Sequence, residues 1–433
     1  MKRIFSAAAA LVAALSLTAC AGRLPVEDCI NTNIGTGSFN QIMQTENGYY
    51  YNATMFGKLS LRYHDNSTGS DIYLCAKPEC THNGDKFCTA TSRDFKVCYT
   101  AMYGGSIYIS AIEFDGERIM YKLLKASCDG TELTEVCTFL RLSNSESAVM
   151  NFNNKRSMVI HRGTAFVPYI VMTSDSNARK GSGLVVEAAG SVTGMCGTAL
   201  IDLESGRYKL LTEYDRAETY GSGNVMADGD HFYYSMEYFS DKPTEFHRYN
   251  IKTEKDEILD IAASLKEAYG TDLPAEFPTF TIIDGKVWYI LSEGEWGELL
   301  NIYIYDPESN TTELAEQFAD TLYEYGELYD DNGELLAYTQ DAYENPEISC
   351  DGEYIYIAEN GFFGSAAKKV HIFTTGGEKA GDLAVEENAQ CQVNILDGKI
   401  YVQTAEGAKY CSVSDIIEGN TSWTRLYEFE EEQ

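Results

Sequence analysis

The amino-acid sequence predicts an all-β fold, and within that class a β-propeller with seven blades. Three observations predict it: an aromatic and glycine-rich composition, a turn-plus-strand motif that recurs seven times, and a second hairpin motif after each copy. The chain has 433 residues, among them 31 Tyr, 19 Phe and 36 Gly but only 8 Pro. Aromatic side chains favour strands, and glycine favours the turns between them.

The first motif is a glycine-containing turn followed by an alternating aromatic strand. Asp-Gly between two such strands is a strong hairpin signal, because its backbone twist matches that of the paired strands. The seven copies are NGYYYNA (47–53), GGSIYIS (104–110), RGTAFVPY (162–169), DGDHFYYS (228–235), DGKVWYI (284–290), DGEYIYIA (351–358) and DGKIYVQ (397–403). Their spacing is that of a four-stranded unit with loop insertions, which indicates a repeat architecture.

The second motif is a strand, a polar turn and a further strand that ends in leucine or valine. Clear copies are residues 246–259, 302–314 and 198–211, and the last copy, residues 408–429, carries an insertion. One four-stranded sheet cannot bury both of its faces, whereas sheets stacked around an axis can. Because the third copy of the first motif is degenerate, an irregular β-sandwich or a propeller of six or eight blades stays open.

Three local predictions complete the fold. Residues 257–270 predict a short helix, with Ile258, Ile261 and Leu265 as apolar positions and Gly270 at its end. The acidic, tyrosine-rich segment 318–349 predicts the closing strand of one blade and a long loop. Residues 39–45 are expected to pair beside residues 423–429 and so complete the last blade.

The N-terminus has the features of an export signal. Lys2 and Arg3 precede an apolar run, and Ala19 precedes Cys20. The sequence LTAC at 17–20 is similar to the bacterial lipobox, which implies cleavage before Cys20 and a diacylglyceryl group on its sulfur; an ordinary signal peptide with an incidental cysteine is the alternative. We therefore expect a signal peptide (1–19), a lipid-anchored linker (20–38) and a single propeller domain (39–433).

The charge balance limits the classes of partner. The chain has 33 basic and 66 acidic residues, a net charge of −33. Nucleic acid is bound through basic surfaces, so this composition argues against a nucleic-acid partner. An anionic membrane surface would also repel the body of the protein. Contact with the membrane is therefore expected through lipid on Cys20, with the protein exported and anchored on the outer face of the membrane.

The segment LCAKPECTHNGDKFC (74–88) carries the most specific chemical signal. Cys75, Cys80, His82 and Cys88 supply three sulfur ligands and one nitrogen, a standard set for a tetrahedral structural zinc, and iron is the other metal considered. Exported cysteines usually oxidise, so a disulfide from Cys75 to Cys80 or Cys88 is the alternative.

The cysteine count bears on the same choice. Without Cys20 eleven cysteines remain, and an odd number cannot all pair within one chain. Three metal-bound thiols would leave an even number outside the segment. Those eight are Cys29, Cys98, Cys128, Cys137, Cys196, Cys350, Cys391 and Cys411.

These features together resemble uncharacterised β-propeller lipoproteins of Gram-positive gut bacteria. The resemblance is carried by the lipobox, the tyrosine-rich repeats and the loop with its Cys75, Lys77-Pro78, Cys80, His82 and Cys88. The turn at Asp129-Gly130 with Leu133 is similar to the repeats of lipoprotein-receptor and TolB-type propellers. The resemblance implies the fold and an extracytoplasmic location, and it implies no settled activity.

The chain lacks three common catalytic signatures: a G-x-S-x-G elbow, an H-E-x-x-H pair and a P-loop. The six histidines are scattered over the repeats. For those in strands we expect hydrogen-bonded structural roles. We expect a non-catalytic binding module for a surface glycan, a peptide or a partner protein. A glycan-active hydrolase or lyase, and a metal- or redox-sensing lipoprotein that uses the 75–88 loop, are the alternatives.

Overall fold

The computed structural model describes most of the chain between residues 43 and 428. The described residues are 28, 43–53, 57–84, 88–115, 118–142, 146–148, 158–173, 193–215, 219–238, 244–273, 280–293, 299–319, 325–329, 335–340, 347–358, 369–376, 378–385, 392–396, 398–404 and 407–428. The predicted signal peptide, Cys20 and all of the linker except Asp28 lie outside this part of the chain. Within it, no helix has the length and apolar character needed to cross a membrane.

The fold is a seven-bladed β-propeller, as the sequence predicts. Each blade is a four-stranded antiparallel meander from one continuous stretch of chain. Blades 1 and 2 are also joined into one sheet, because residues 57–60 pair with residues of the segment 91–97. The strands of blades 1 and 2 are β1 (Met43–Thr45), β2 (Gly48–Asn52), β3 (Gly57–Asp65), β4 (Ser70–Tyr73), β5 (Thr91–Tyr103), β6 (Ser106–Asp115), β7 (Arg118–Ser127) and β8 (Leu133–Leu142). Those of blade 3 are β10 (Val159–His161), β11 (Thr164–Thr173), β12 (Thr193–Asp202) and β13 (Tyr208–Asp215), with β9 (Glu146–Ala148) paired to β11.

Blades 4 and 5 consist of β14 (Thr219–Asp228), β15 (His231–Tyr238), β16 (Glu245–Asn250), β17 (Asp256–Leu259), β18 (Phe280–Ile283), β19 (Lys286–Glu293), β20 (Leu299–Asp306) and β21 (Thr311–Ala319). A separate hairpin follows, made of β22 (Tyr325–Tyr329) and β23 (Leu335–Gln340). Blades 6 and 7 consist of β24 (Glu347–Cys350), β25 (Tyr354–Ala358), β26 (Lys369–Thr374), β27 (Lys379–Ala384), β28 (Gln392–Leu396), β29 (Lys399–Thr404), β30 (Gly407–Ser412) and β31 (Thr424–Glu428).

The seven copies of the first motif are the turns between the first and second strands of the blades. At Asp284-Gly285 both residues have positive φ, 51° and 75°, which the tight hairpin twist requires. The second motif forms the turn between the third and fourth strands. In blades 1 to 5 an Asp or Asn side chain in that turn accepts backbone N–H bonds, as Asp65 does from Ser67 and Thr68 at 2.8 and 3.0 Å. Both motifs therefore have local physical causes.

Hydrophobic clusters lie between the blades and close the ring. Each of the six consecutive interfaces, from blades 1 and 2 to blades 6 and 7, buries one cluster drawn from both neighbours. A seventh cluster joins blade 7 back to blade 1, where Tyr401 packs with Tyr49 and Tyr51. Stacked sheets bury faces that a single sheet would leave exposed. Seven interfaces in a closed ring correspond to seven blades.

The expected closing strand is wrong. Met43–Thr45 pair with β2 of their own blade, with Met43 opposite Tyr50, and β31 pairs with β30. The turn at Glu46 and Asn47 folds β1 back on the next strand, so the ring closes by side-chain packing in the described part of the chain. Residues 39–42 of the predicted strand lie outside that part.

Two connecting segments differ from the sequence prediction. The helix α1 spans Ile261–Tyr269 and ends at Gly270 with φ 74°, but it starts later than predicted because residues 256–259 form β17. The segment 318–349 contains the last residues of β21 and the first residues of β24. Between these two strands it forms the hairpin β22–β23. A second helix, α2 (Val413–Ile417), is the insertion predicted in the last copy of the second motif.

Candidate metal centre

The four predicted ligands come together in the segment that joins β4 to β5. One ligand atom from each of Cys75, Cys80, His82 and Cys88 lies within 4.8 Å of the others. Among the described residues this is the group of three or more His, Cys, Asp or Glu side chains that has metal-binding geometry. Three sulfurs and one imidazole nitrogen at this separation fit a tetrahedral ion such as Zn²⁺.

Local backbone structure brings the first two cysteines together. A turn closes where the Cys80 N–H donates to the carbonyl oxygen of Lys77 at 3.1 Å. Pro78 follows Lys77 directly, and its fixed φ suits that position of a turn. The chain therefore reverses between Cys75 and Cys80, as a chelating loop requires.

His82 is held in an orientation that faces a thiol. Its backbone has φ 55°, which few residues other than glycine and asparagine adopt readily. Its ring stacks on Tyr73 with centroids 4.6 Å apart, and its Nδ1 lies 3.6 Å from the Cys88 sulfur. The same sulfur accepts the Thr91 N–H at 3.3 Å. Backbone N–H groups commonly donate hydrogen bonds to the sulfur atoms of metal-bound cysteines.

The loop is also attached to the neighbouring blade. The Ala76 N–H donates to the carbonyl oxygen of Gly130 at 2.9 Å, and the Thr89 hydroxyl lies 2.8 Å from the same oxygen and 3.0 Å from that of Leu74. Gly130 has φ +70°, and a Cβ at that position would lie 2.7 Å from the Cys75 nitrogen. The cluster therefore lies between blade 1 and the turn between the third and fourth strands of blade 2.

The thiols differ in acidity. Burial raises the pKa of Cys75, but hydrogen bonds from Thr89, from the backbone near Lys77 and from Cys80 outweigh it and lower the pKa to about 7. A backbone hydrogen bond at His82 lowers the pKa of Cys80, yet burial and the neighbours Cys88 and Cys75 raise it overall. A second thiolate is thus opposed by the first, and a dication among them would offset that repulsion.

The disulfide alternative is not seen in this segment, where Cys75, Cys80 and Cys88 are free thiols. The other described cysteines are free as well: Cys98, Cys128, Cys137, Cys350 and Cys411. All of them except partly exposed Cys128 are buried, and burial raises the pKa of Cys98 to about 12 and that of Cys137 to about 11. They behave as small packing residues. Cys29, Cys391 and the side chain of Cys196 lie outside the described part.

The strand histidines have structural partners, in agreement with the sequence prediction. The Nδ1 atoms of three of them lie within 3.1 Å of an aspartate oxygen on the adjacent fourth strand; the pairs are His64–Asp71, His247–Asp256 and His371–Asp382. Sequence reasoning missed Tyr73, Thr89 and Gly130 around the metal cluster. Thr89 and Gly130 are 41 residues apart, and no local pattern marks that pair or the stacking of Tyr73 on His82.

Comparison with known proteins finds distant similarity to solved structures. No family model matches the chain, and no curated protein does. A solved oligogalacturonate lyase in complex with manganese covers 87% of this chain and 95% of its own, with a TM-score of 0.44 and 10% identity. The β-propeller domain of the trilobed protease from Pyrococcus furiosus, described as having an open velcro topology, covers 74% and 83%, with a TM-score of 0.39 and 12% identity. An uncharacterized protein from Listeria monocytogenes covers 75% and 81%, with a TM-score of 0.38 and 9% identity.

Proposed function

We propose that this chain is an exported, lipid-anchored propeller that holds a structural metal ion, zinc or iron, and serves as a non-catalytic binding module. The observation that supports the metal site is the Cys75, Cys80, His82 and Cys88 cluster, whose ligand atoms lie within 4.8 Å of one another. The anchor is proposed from the sequence LTAC at 17–20. Four protein ligands fill a tetrahedral shell, which leaves no position for a substrate or a reactive water. The ion would therefore tie the loop together and would take no part in a reaction.

The position of the loop supports a structural role for the ion. Its backbone is bonded to Gly130 of blade 2, while Leu74 and Cys88 belong to the cluster buried between blades 1 and 2. An ion bound there would fix two blades relative to each other. Propellers present loops at the ends of their blades, where binding residues usually lie. A surface glycan, a peptide or a partner protein is the proposed class of ligand.

Metal analysis tests the proposal. The mature chain, purified without oxygen, is analysed for metals by mass spectrometry together with a thiol count in denaturant. We expect one equivalent of zinc or iron, lost in Cys80→Ser and retained in Cys128→Ser, because Cys128 is a partly buried free thiol outside the cluster. A metal-free wild type, or metal retained in Cys80→Ser, would contradict the proposal.

The anchor has its own test. Cells that make the chain would be fed a palmitate analogue, and the protein would be followed in the membrane fraction. Incorporation that disappears in Cys20→Ser supports lipidation at LTAC, whereas a labelled Cys20→Ser protein or an unlabelled wild type contradicts it. No observation among the described residues favours the glycan-active enzyme or the metal or redox sensor over the binding module.

A further inference from the structure

A charged network attaches the N-terminal segment to the middle of the propeller. The guanidinium of Arg162 donates to both carboxylate oxygens of Asp28, at 2.5 and 3.1 Å, and to Asp230 at 2.6 Å. Lys252 lies 2.7 Å from the second oxygen of Asp230. Asp28 is thus part of a four-membered network with a two-point arginine–carboxylate contact, which is stronger and more directional than a single surface pair.

The network lies at one defined end of the blades. Arg162 is in the turn between the first two strands of blade 3, Asp230 is in the equivalent turn of blade 4, and Lys252 is in the turn between the last two strands of blade 4. In a four-stranded meander these two kinds of turn lie at the same end of the sheet. We call it the turn end. The loops between second and third strands lie at the opposite end, and the connections between blades start and end there as well. The segment from β4 to β5 is an exception, because β4 has only four residues and the Ala76 N–H donates to Gly130 at the turn end of blade 2.

Buried neighbours fix the position of Arg162. The adjacent His161 is 1% exposed, and its Nε2 lies 2.7 Å from the carbonyl oxygen of Gly229 in blade 4 and 3.9 Å from Asp28. Arg162 itself is held at φ 49° by the tight turn. Arg162 therefore lies where blades 3 and 4 meet, and Asp28 binds to it there.

The lipid-bearing residue is close to Asp28 along the chain. Cys20 precedes Asp28 by eight residues. A fully extended chain of eight residues spans at most ~29 Å. The lipid attachment point therefore stays within that distance of the turn end of blade 3, whatever conformation the intervening residues adopt.

We propose that the turn end of blades 3 and 4 faces the membrane, and that the opposite end of the propeller faces outward. The inference rests on the proposed lipidation of Cys20. It also assigns a side to the metal cluster, because its loop is bonded to Gly130 in a turn at the turn end of blade 2. The ion would then lie on the membrane side of the propeller.

Epitope insertion tests the orientation on the full lipidated chain in vesicles of zwitterionic phospholipid. One tag is inserted between Glu204 and Ser205, in a turn at the turn end of blade 3. Another is inserted between Asp241 and Lys242, in the sequence between β15 and β16; the end of β15 and the start of β16 lie at the opposite end of blade 4. We expect an antibody to bind the second tag on vesicles and to lose binding to the first. Both tags should bind equally on the unanchored Cys20→Ser protein.

Variants separate the Asp28 contact from the lipid. Asp28→Ala and Arg162→Asn should restore antibody binding to the turn-end tag, and asparagine is suited to the positive φ of position 162. Lys209→Ala is the matched control: it removes an exposed pair with Glu254, in the same region but without contact to Asp28, and should leave that tag shielded. A lipidated wild type whose turn-end tag binds antibody overturns the orientation alone. A chain that does not sediment with vesicles overturns the anchor and the orientation with it.

Discussion

Two histidines of this protein are held in nearly the same way and face different chemistry. His82 stacks on Tyr73 at 4.6 Å, and His247 stacks on Tyr234 at 4.8 Å. The Nδ1 of His82 points to the Cys88 sulfur at 3.6 Å, whereas that of His247 lies 3.1 Å from the Asp256 carboxylate. Both imidazole rings therefore stack on a tyrosine, but the atom that faces Nδ1 is a thiol sulfur in one case and a carboxylate oxygen in the other.

That difference decides which histidine can be a metal ligand. A carboxylate partner favours an imidazole N–H that donates to it, and Asp256 also accepts the hydroxyl of Tyr234 at 2.9 Å. His247 therefore completes a hydrogen-bonded group inside a regular blade. His82 has thiols around it, which offer soft ligands to a metal and no strong acceptor. The same residue type thus stabilises one blade by hydrogen bonding and is available for coordination beside another.

The largest expected effect follows from removal of the ion. His82→Asn removes one ligand while its side chain tolerates the backbone φ of 55°. An ion present at a thousand times its dissociation constant contributes about 4 kcal/mol, so we expect the melting temperature to fall by on the order of 5 °C. Calorimetry with and without a chelator measures this shift. His247→Asn is the control and should keep its chelator-dependent shift, and a shift retained by His82→Asn would contradict the assignment.

An intermediate effect is expected at the other histidine. Asp256→Ala removes the acceptor that His247 and Tyr234 share. Hydrogen bonds to a charged group contribute about 1.5–3 kcal/mol, so we expect a loss of about 2 kcal/mol in the free energy of unfolding with the metal content unchanged. Denaturant titration measures the loss. Glu254→Ala, which removes an exposed carboxylate two residues earlier, should change stability by less than about 1 kcal/mol.

The smallest effect tests how the metal loop is attached to blade 2. Gly130→Ala and Gly105→Ala place alanine at nearly equal φ, +70° and +68°, but only the former brings the new Cβ against the backbone of Cys75. Both substitutions carry a left-handed penalty of about 1–2 kcal/mol. We expect Gly130→Ala to cost about 1 kcal/mol more and to weaken metal binding, because Cys75 must shift. Equal stability and equal metal affinity in the two variants would show that the close approach is unimportant.

Much of the fold follows from sequence because its signals are local. A turn such as Asp284-Gly285 needs positive φ, and a turn such as that at Asp65 needs a side-chain acceptor, so both leave a mark on the sequence. The spacing of Cys75, Cys80, His82 and Cys88 is equally local, and the structure brings these four residues together.

Other features depend on information that is not local. The attachment of the metal loop joins Thr89 to Gly130, 41 residues away, and no sequence pattern marks that pair. The predicted strand partner of residues 43–45 was wrong. A strand that closes the ring against a distant strand has the same composition as one that pairs with the next strand, so composition could not distinguish the two. The hairpin β22–β23 was missed although Asn332-Gly333, a strong hairpin dipeptide, lies between its strands.

X-ray absorption at the metal edge of the mature chain tests the central claim most directly. We predict three sulfur ligands at about 2.3 Å and one nitrogen at about 2.0–2.1 Å for zinc. The sulfur contribution should fall by about a third in Cys80→Ser if that variant is loaded with excess metal. A first shell made only of oxygen and nitrogen, or a spectrum unchanged by Cys80→Ser, would show that the ion lies elsewhere and that Cys75, Cys80, His82 and Cys88 do not form the site.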